Sequence, residues 1–193
     1  MTRTYTLKRR AEQQAATRRR IVEAALDLHG TIGPARTTIS MVAERAGVQR
    51  HTLYAHFPTE RALFQACSTL SLERSPLPDA APWRAIGDRN ERLSRGLGEI
   101  YDWYERNADL AACILRDGEH HDLTRETVVR QFGPYLAGYR EALGAGLSAT
   151  QRAALDLALS FFTWRSLVRE SGLSRNAAIA LLVRAIDAGS KPR

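Results

Sequence analysis

The stretch Thr37–Phe57, TTISMVAERAGVQRHTLYAHF, decides the fold. Ile39, Val42, Ala43 and Ala46 recur at three- and four-residue intervals and so share one face of a helix. Thr38 stands just before that apolar run, where its hydroxyl can accept from a free amide of the first turn. Gly47 follows the last apolar position, where the chain must reverse and a left-handed backbone costs glycine little. Val48, Leu53 and Phe57 then point back at the first helix. Gln49, Arg50, His51, Thr52, Tyr54 and His56 cannot be buried without partners and are left for solvent or a ligand. The pattern predicts two short helices around a tight turn.

Such a pair can be an ordinary helical hairpin with a polar surface, or a helix-turn-helix that lays its second helix in the major groove of DNA. In the second reading Arg50 and His51 lie at the leading end of that helix. Arginine can give two parallel hydrogen bonds to guanine, and histidine can donate or accept at a base edge. Gln49 lies beside them, and Thr37, Thr52, Tyr54 and His56 offer donors of the kind that hold phosphate oxygens and fix register.

Charge favours the DNA reading. The chain has 193 residues and a formal charge of +7, of which +6 lies in the first 65 residues and +1 in the rest. A basic excess beside the proposed reading helix is what phosphate contact requires. A membrane surface could attract the same charge, but the basic stretch lacks the Trp/Phe/Leu face of an interfacial helix. An apolar content of 44% and a charged content of 25% are those of a globular protein.

Lys8 and Lys191 are the only lysines, so no interior lysine is available for a phosphate loop or a Schiff base. Cys67 and Cys113 form no close metal pair and read as small buried apolar side chains. No metal and no cofactor is expected. The basic N-terminus has no apolar segment after it, and no run of 18 apolar residues occurs, so a cytoplasmic location without membrane contact is expected.

Arg3, Lys8, Arg9, Arg10, Arg18, Arg19 and Arg20 precede the apolar positions Ile21, Ala24, Ala25 and Leu28. The spacing predicts a first helix over about 12–29, stopped by Gly30, Gly33 and Pro34, with the residues before it either a DNA-settling arm or a solvated tail. Pro58 ends the reading helix and Thr59 can cap a fourth. Pro76, Pro78 and Pro82 mark a linker. Helical patterning then covers about 83–107, 108–119, 123–143, 149–170 and 175–188, with Ser148 and Ser174 as caps of the last two and Pro134 inside the third of these five. No alternating strand pattern appears, so the chain is expected to be all-α.

The last two helices carry apolar residues on more than one face. One face suits the domain's own core. The other suits the same surface of a second copy, and Leu157, Phe161, Trp164, Val168, Leu181, Leu182 and Ala185 are the candidates for that isologous contact. A fully internal hairpin is the alternative.

The segment Thr37–Leu63 resembles the TetR family of bacterial transcriptional regulators: paired threonines, an Ala-Gly-Val turn, Thr-Leu-Tyr, His-Phe, then a capped helix ending in leucine. The resemblance covers about residues 12–65. It implies a nine-helix homodimer that binds a palindromic operator of double-stranded DNA as a repressor and lets go when a small-molecule effector enters the C-terminal domain. The domains would be a helix-turn-helix over 1–65 with its basic arm, and an effector-binding and dimerisation domain over 66–193. Carried over by position, Arg50, His51 and Thr52 match base contacts, and Thr38, Tyr54 and His56 match phosphate contacts. Where the family often has a phosphate-binding lysine this chain has Glu60, for which Arg61 would compensate. In the family scheme the helix from Thr59 to Leu72 joins reading head to sensor, and its tilt sets the spacing of the two reading helices.

An effector cavity is expected among Trp103, Tyr104, Cys113, Phe132, Tyr135, Tyr139 and Phe162, with Arg116 or Arg165 as polar anchor. Two rival functions remain: a DNA binder controlled by a protein partner or acting without a ligand, and a helical enzyme using His120 and His121 with Glu119 and Asp122. Adjacent histidines project about 100° apart on a helix, so one metal rarely takes both, and a polar loop is the plainer reading.

Overall fold

Serine, threonine and aspartate caps set most of the helix starts. The computed structural model describes residues 2–189. Its helices are α1 (Thr2–Thr31), α2 (Ile39–Ala46), α3 (Arg50–His56), α4 (Glu60–Arg74), α5 (Arg89–Arg106), α6 (Ala108–Gly118), α7 (Asp122–Leu143), α8 (Ala149–Ala158), α9 (Phe161–Trp164) and α10 (Arg175–Ala188). Short 3-10 turns cover Pro34–Arg36 and Pro82–Ala85, and α9 runs on as a π-helical segment, Arg165–Glu170. No strand occurs among the described residues. The side chain of Arg3 and all of Lys191 lie outside the described residues.

Three boundaries differ from the sequence pattern. The first helix begins at Thr2 rather than near residue 12, so the basic segment Lys8–Arg10 is helical. Trp83 lies in a 3-10 turn, and the next helix starts only at Arg89, where Asp88 Oδ1 accepts from the Glu91 amide at 2.7 Å. The single helix expected over 149–170 is divided at Ser160, which is extended (φ −72°, ψ 131°) and accepts from the Phe162 amide. Ten helices therefore replace nine among the described residues.

The chain divides into two compact units. The first joins Met1–Pro76 with Asp109–Gln131. In it α1 packs on α2 and α4, and its core comes from Ile21, Val22, Ala25 and Leu28 of α1, Val42 and Ala43 of α2, Leu53 of α3 with Phe57 just after it, and Leu63 and Cys67 of α4. Full burial of a side chain such as Leu53 contributes about 1.5–3 kcal/mol. Burial pushes the Cys67 thiol up to about 12, so it stays an inert apolar filler, as expected.

The second unit joins Leu77–Ala108 with Phe132–Arg193. Its helix α10 packs on α5 and α8. Trp83, Leu93, Leu97, Tyr101, Trp164 and Ile186 are fully buried there. Gly96 lets α5 approach closely, because a Cβ would stand 2.6 Å from Leu143 Cδ2.

Candidate nucleic-acid interface

Two devices fix the geometry of the α2–α3 pair. At its start, Thr38 is extended and its Oγ1 accepts from the Met41 amide at 3.3 Å. At the turn, Gly47 is left-handed (φ 63°, ψ 41°), and the Val48 amide reaches back to the Ala43 carbonyl at 3.0 Å, a closure that other residues resist. Leu53 and Phe57 then anchor α3 to α1 and α2 from its inner face.

The outer face of α3 is different. Gln49, Arg50, His51 and Tyr54 are exposed, and Thr52 and His56 half-buried. Among the described residues none of the six side chains has a hydrogen-bond or ion-pair partner within the chain. Neighbouring arginines are engaged instead: Arg45 pairs with Asp27, Arg19 and Arg74 pair with Glu23, and Arg18 lies 4.7 Å over the Phe57 ring. Asp27 and Glu23 are thus taken up by other arginines, and the Arg50 side chain, without a partner in the chain, leaves its five donors for an external acceptor.

The threonines divide. Thr38 uses only a lone pair in its cap, so its proton remains available to a phosphate oxygen. Thr37 donates its proton to the Gly33 carbonyl at 2.8 Å and holds the loop instead. Arg61, the expected substitute for the family lysine, pairs with Glu126 of α7 at 2.6 Å, both side chains being about half exposed.

One part of the interface was not read from the sequence. The loop before α2 is gripped by the end of α6: the Ala35 amide donates to Asp117 Oδ2 at 2.9 Å, Arg116 Nε donates to Asp117 Oδ1 at 2.8 Å, and Arg116 Nη2 donates to the Ile32 carbonyl at 3.2 Å. Asp117 is 1% exposed. Burial raises its carboxyl, but the Arg116 and Ala35 hydrogen bonds and the Arg116 charge outweigh that and hold it below the usual carboxylate range. Nearby, the buried His29 ring lies 4.8 Å from Phe64, which lies 5.9 Å from His121. Burial and the His121 charge lower His29 to about 4, against an opposing pull from Asp117.

His120 and His121 lie in the loop between α6 and α7, as the plainer reading expects. His121 Nδ1 meets the Thr124 hydroxyl at 2.7 Å, and His120 is exposed. No cluster of three metal-ligating side chains is found among the described residues, and no helix there is long and apolar enough to cross a membrane.

The expected effector residues fall into two groups. Cys113, which donates to the Gly30 carbonyl at 3.6 Å, and Arg116 belong to the first unit. Trp103, Tyr104, Phe132, Tyr135, Tyr139, Phe162 and Arg165 belong to the second. Of these, Trp103 stacks edge-on against Tyr104 and Phe132, and Tyr104 also lies against Phe161 and Trp164. Tyr139 is buried against Trp83, while Tyr135 and Phe162 are exposed and Arg165 lies over the Phe162 ring, paired with Glu170. Of the residues expected at a second copy, Phe161, Trp164 and Leu182 are buried in the unit's own core, Val168 is half-buried, and Leu157, Leu181 and Ala185 are exposed, Leu157 by 61%.

Residues 21–67 match the tetR family of bacterial regulatory proteins. An HTH-type transcriptional regulator of Mycobacterium bovis is 28% identical over 146 residues, 74% of this chain and 71% of that protein. The class C tetracycline repressor protein of Escherichia coli is 26% identical over 164 residues, 83% of this chain and 68% of the repressor. A tetR-family transcriptional regulator from Streptomyces coelicolor shares the fold, with a TM-score of 0.59 at 19% identity over 91% of this chain and 80% of that one. These relatives are regulators, not enzymes. Reading helix and relatives agree: residues 21–67 are a helix-turn-helix of the tetR family of bacterial regulatory proteins, and over most of its length the chain is similar to transcriptional regulators that carry it.

Proposed function

We propose that two copies of the chain bind a palindromic operator as a repressor, residues 1–65 reading DNA and residues 66–193 carrying dimerisation and effector binding. The observation that carries the reading is the outer face of α3, with six polar side chains that no partner within the chain engages. Arg50 and His51 read bases; Thr38, Tyr54 and His56 hold phosphates. A symmetric pair suits half-sites about 34 Å apart. Leu157, Phe162, Leu181 and Ala185 supply an exposed apolar face on α8–α10 for the second copy.

A tetracycline repressor among the relatives supports release by a small molecule. In the second unit the Trp103–Tyr104–Phe132 aromatic group is the place for its apolar body, and the buried, unpartnered Trp164 indole N–H is a donor for a polar atom. A coupling of about 1–3 kcal/mol between effector and operator changes affinity 5- to 150-fold, and the operator weakens effector binding by the same factor.

Arg50→Ala is expected to cost about 1–3 kcal/mol of operator affinity and to relax preference at one base pair. Mobility-shift titration on single-base operator variants measures this, and an equal loss on every sequence would move Arg50 to the phosphates. Arg61→Ala should leave operator affinity within twofold, because its guanidinium is held by Glu126; its effect on stability should stay below about 1 kcal/mol, as for an exposed pair. A tenfold loss of affinity would show that Arg61 leaves Glu126 for phosphate.

A further inference from the structure

We infer that the second unit carries a binding site for a small polyanion, a molecule with two or more carboxylate or phosphoryl groups, in the cavity lined by Arg84, Arg92, Arg140 and Arg152. The cavity is open to solvent and offers about 680 Å³, within the range of about 300–1,000 Å³ of small-molecule sites. Its four arginines come from four places, the Pro82–Ala85 turn, the first turn of α5, the end of α7 and the first turn of α8, and Glu141 lines it beside them. Ala142 and Ala145 supply apolar wall between them.

The charges do not balance within the chain. Arg84 has Glu141 at 3.3 Å, and Arg140 has Asp156 at 2.6 Å. Arg92 is held only by neutral carbonyls, those of Ile86 at 2.8 Å and Ala145 at 3.5 Å, and its Nε is buried without a partner. Arg152 is exposed, and its side chain has no partner among the described residues. Two positive charges therefore face one concave space uncompensated. The carbonyls it ties account for Arg92 as a structural group. No hydrogen bond or ion pair among the described residues uses the Arg152 side chain. Arginine forks suit a polyanion, since each can give two parallel hydrogen bonds to a carboxylate or phosphoryl group. This site is separate from the aromatic group of the same unit and does not depend on how the operator is read.

Isothermal titration of the full chain with citrate and with pyrophosphate, at constant ionic strength set with chloride, tests the site. At least one of the two is expected to bind at one anion per protomer, and the pair distinguishes a carboxylate from a phosphoryl ligand. Arg152→Gln should weaken that binding about tenfold, the loss of one charge-assisted pair, while its thermal midpoint without anion stays that of the parent. Arg84→Gln should weaken it in the same direction. No heat from either anion, or equal affinity in the parent and in R152Q, would overturn the site, the second result assigning the binding to the DNA-reading surface instead.

Discussion

Alanine in place of Gly33 is expected to lower the free energy of unfolding by about 2–6 kcal/mol. Gly33 has φ 96° and ψ 153°, a region essentially closed to residues with a Cβ and costing about 1–3 kcal/mol where one is forced into it. The added Cβ would also overlap the Asp117 carboxylate and the Arg116 guanidinium. Asp117 would then lose the Ala35 amide while remaining buried, and a buried group without its partner costs a further 1–3 kcal/mol or so. Gly47→Ala is the internal comparison. Gly47 is also left-handed, but a Cβ there meets nothing within 4 Å, so only the backbone term of about 1–2 kcal/mol applies. Urea unfolding of both variants measures the difference. Equal losses would mean that the Asp117 grip on the loop contributes nothing.

The second large effect is a loss of stability of about 3 kcal/mol as pH falls from 6.5 to 4. His29 titrates near 6.5 in the unfolded chain and at about 4 in the folded one. Between those values the unfolded state binds a proton that the folded state refuses, so folding weakens as pH falls through this window and the full contribution is present only above it. His29→Leu, which has no titrating group, should flatten the profile between pH 6.5 and 4. Asp117 acts in a separate window: its depressed carboxyl stabilises the fold above the unfolded value near 3.9, and that contribution fades below it. Chemical denaturation at pH 7, 5 and 3.5 separates the two. A parent profile that stays level to pH 4 would contradict the burial of a neutral His29.

What the sequence made legible was local. The α2–α3 pair follows from a 3.6-residue apolar period, a threonine cap and a glycine turn, all within 21 consecutive residues. The Asp88 cap of α5 was equally local, since Asp88 and Glu91 stand three apart, yet the aromatic Trp83 drew the helix start forward. Ser160 lies inside an apolar run, so hydropathy alone does not mark the break it makes. Long-range pairings were out of reach. The partner of Asp117 is an amide 82 residues away, and Arg61 finds Glu126 65 residues on. Polarity alone made the outer face of α3 a candidate; only the structure showed which neighbours engage, so that Thr37 and Arg61 find partners within the chain while the Arg50 side chain does not. The same limit applies to Arg84, Arg92, Arg140 and Arg152, which no sequence spacing joins.

The most direct measurement is a selection of bound duplexes from a random library with the purified chain, read together with its mass in solution. Two copies should recover an inverted repeat whose half-sites are centred about one helical turn apart, and Arg50→Ala should blur one position in each half. A single copy that enriches no sequence at low salt would contradict the account.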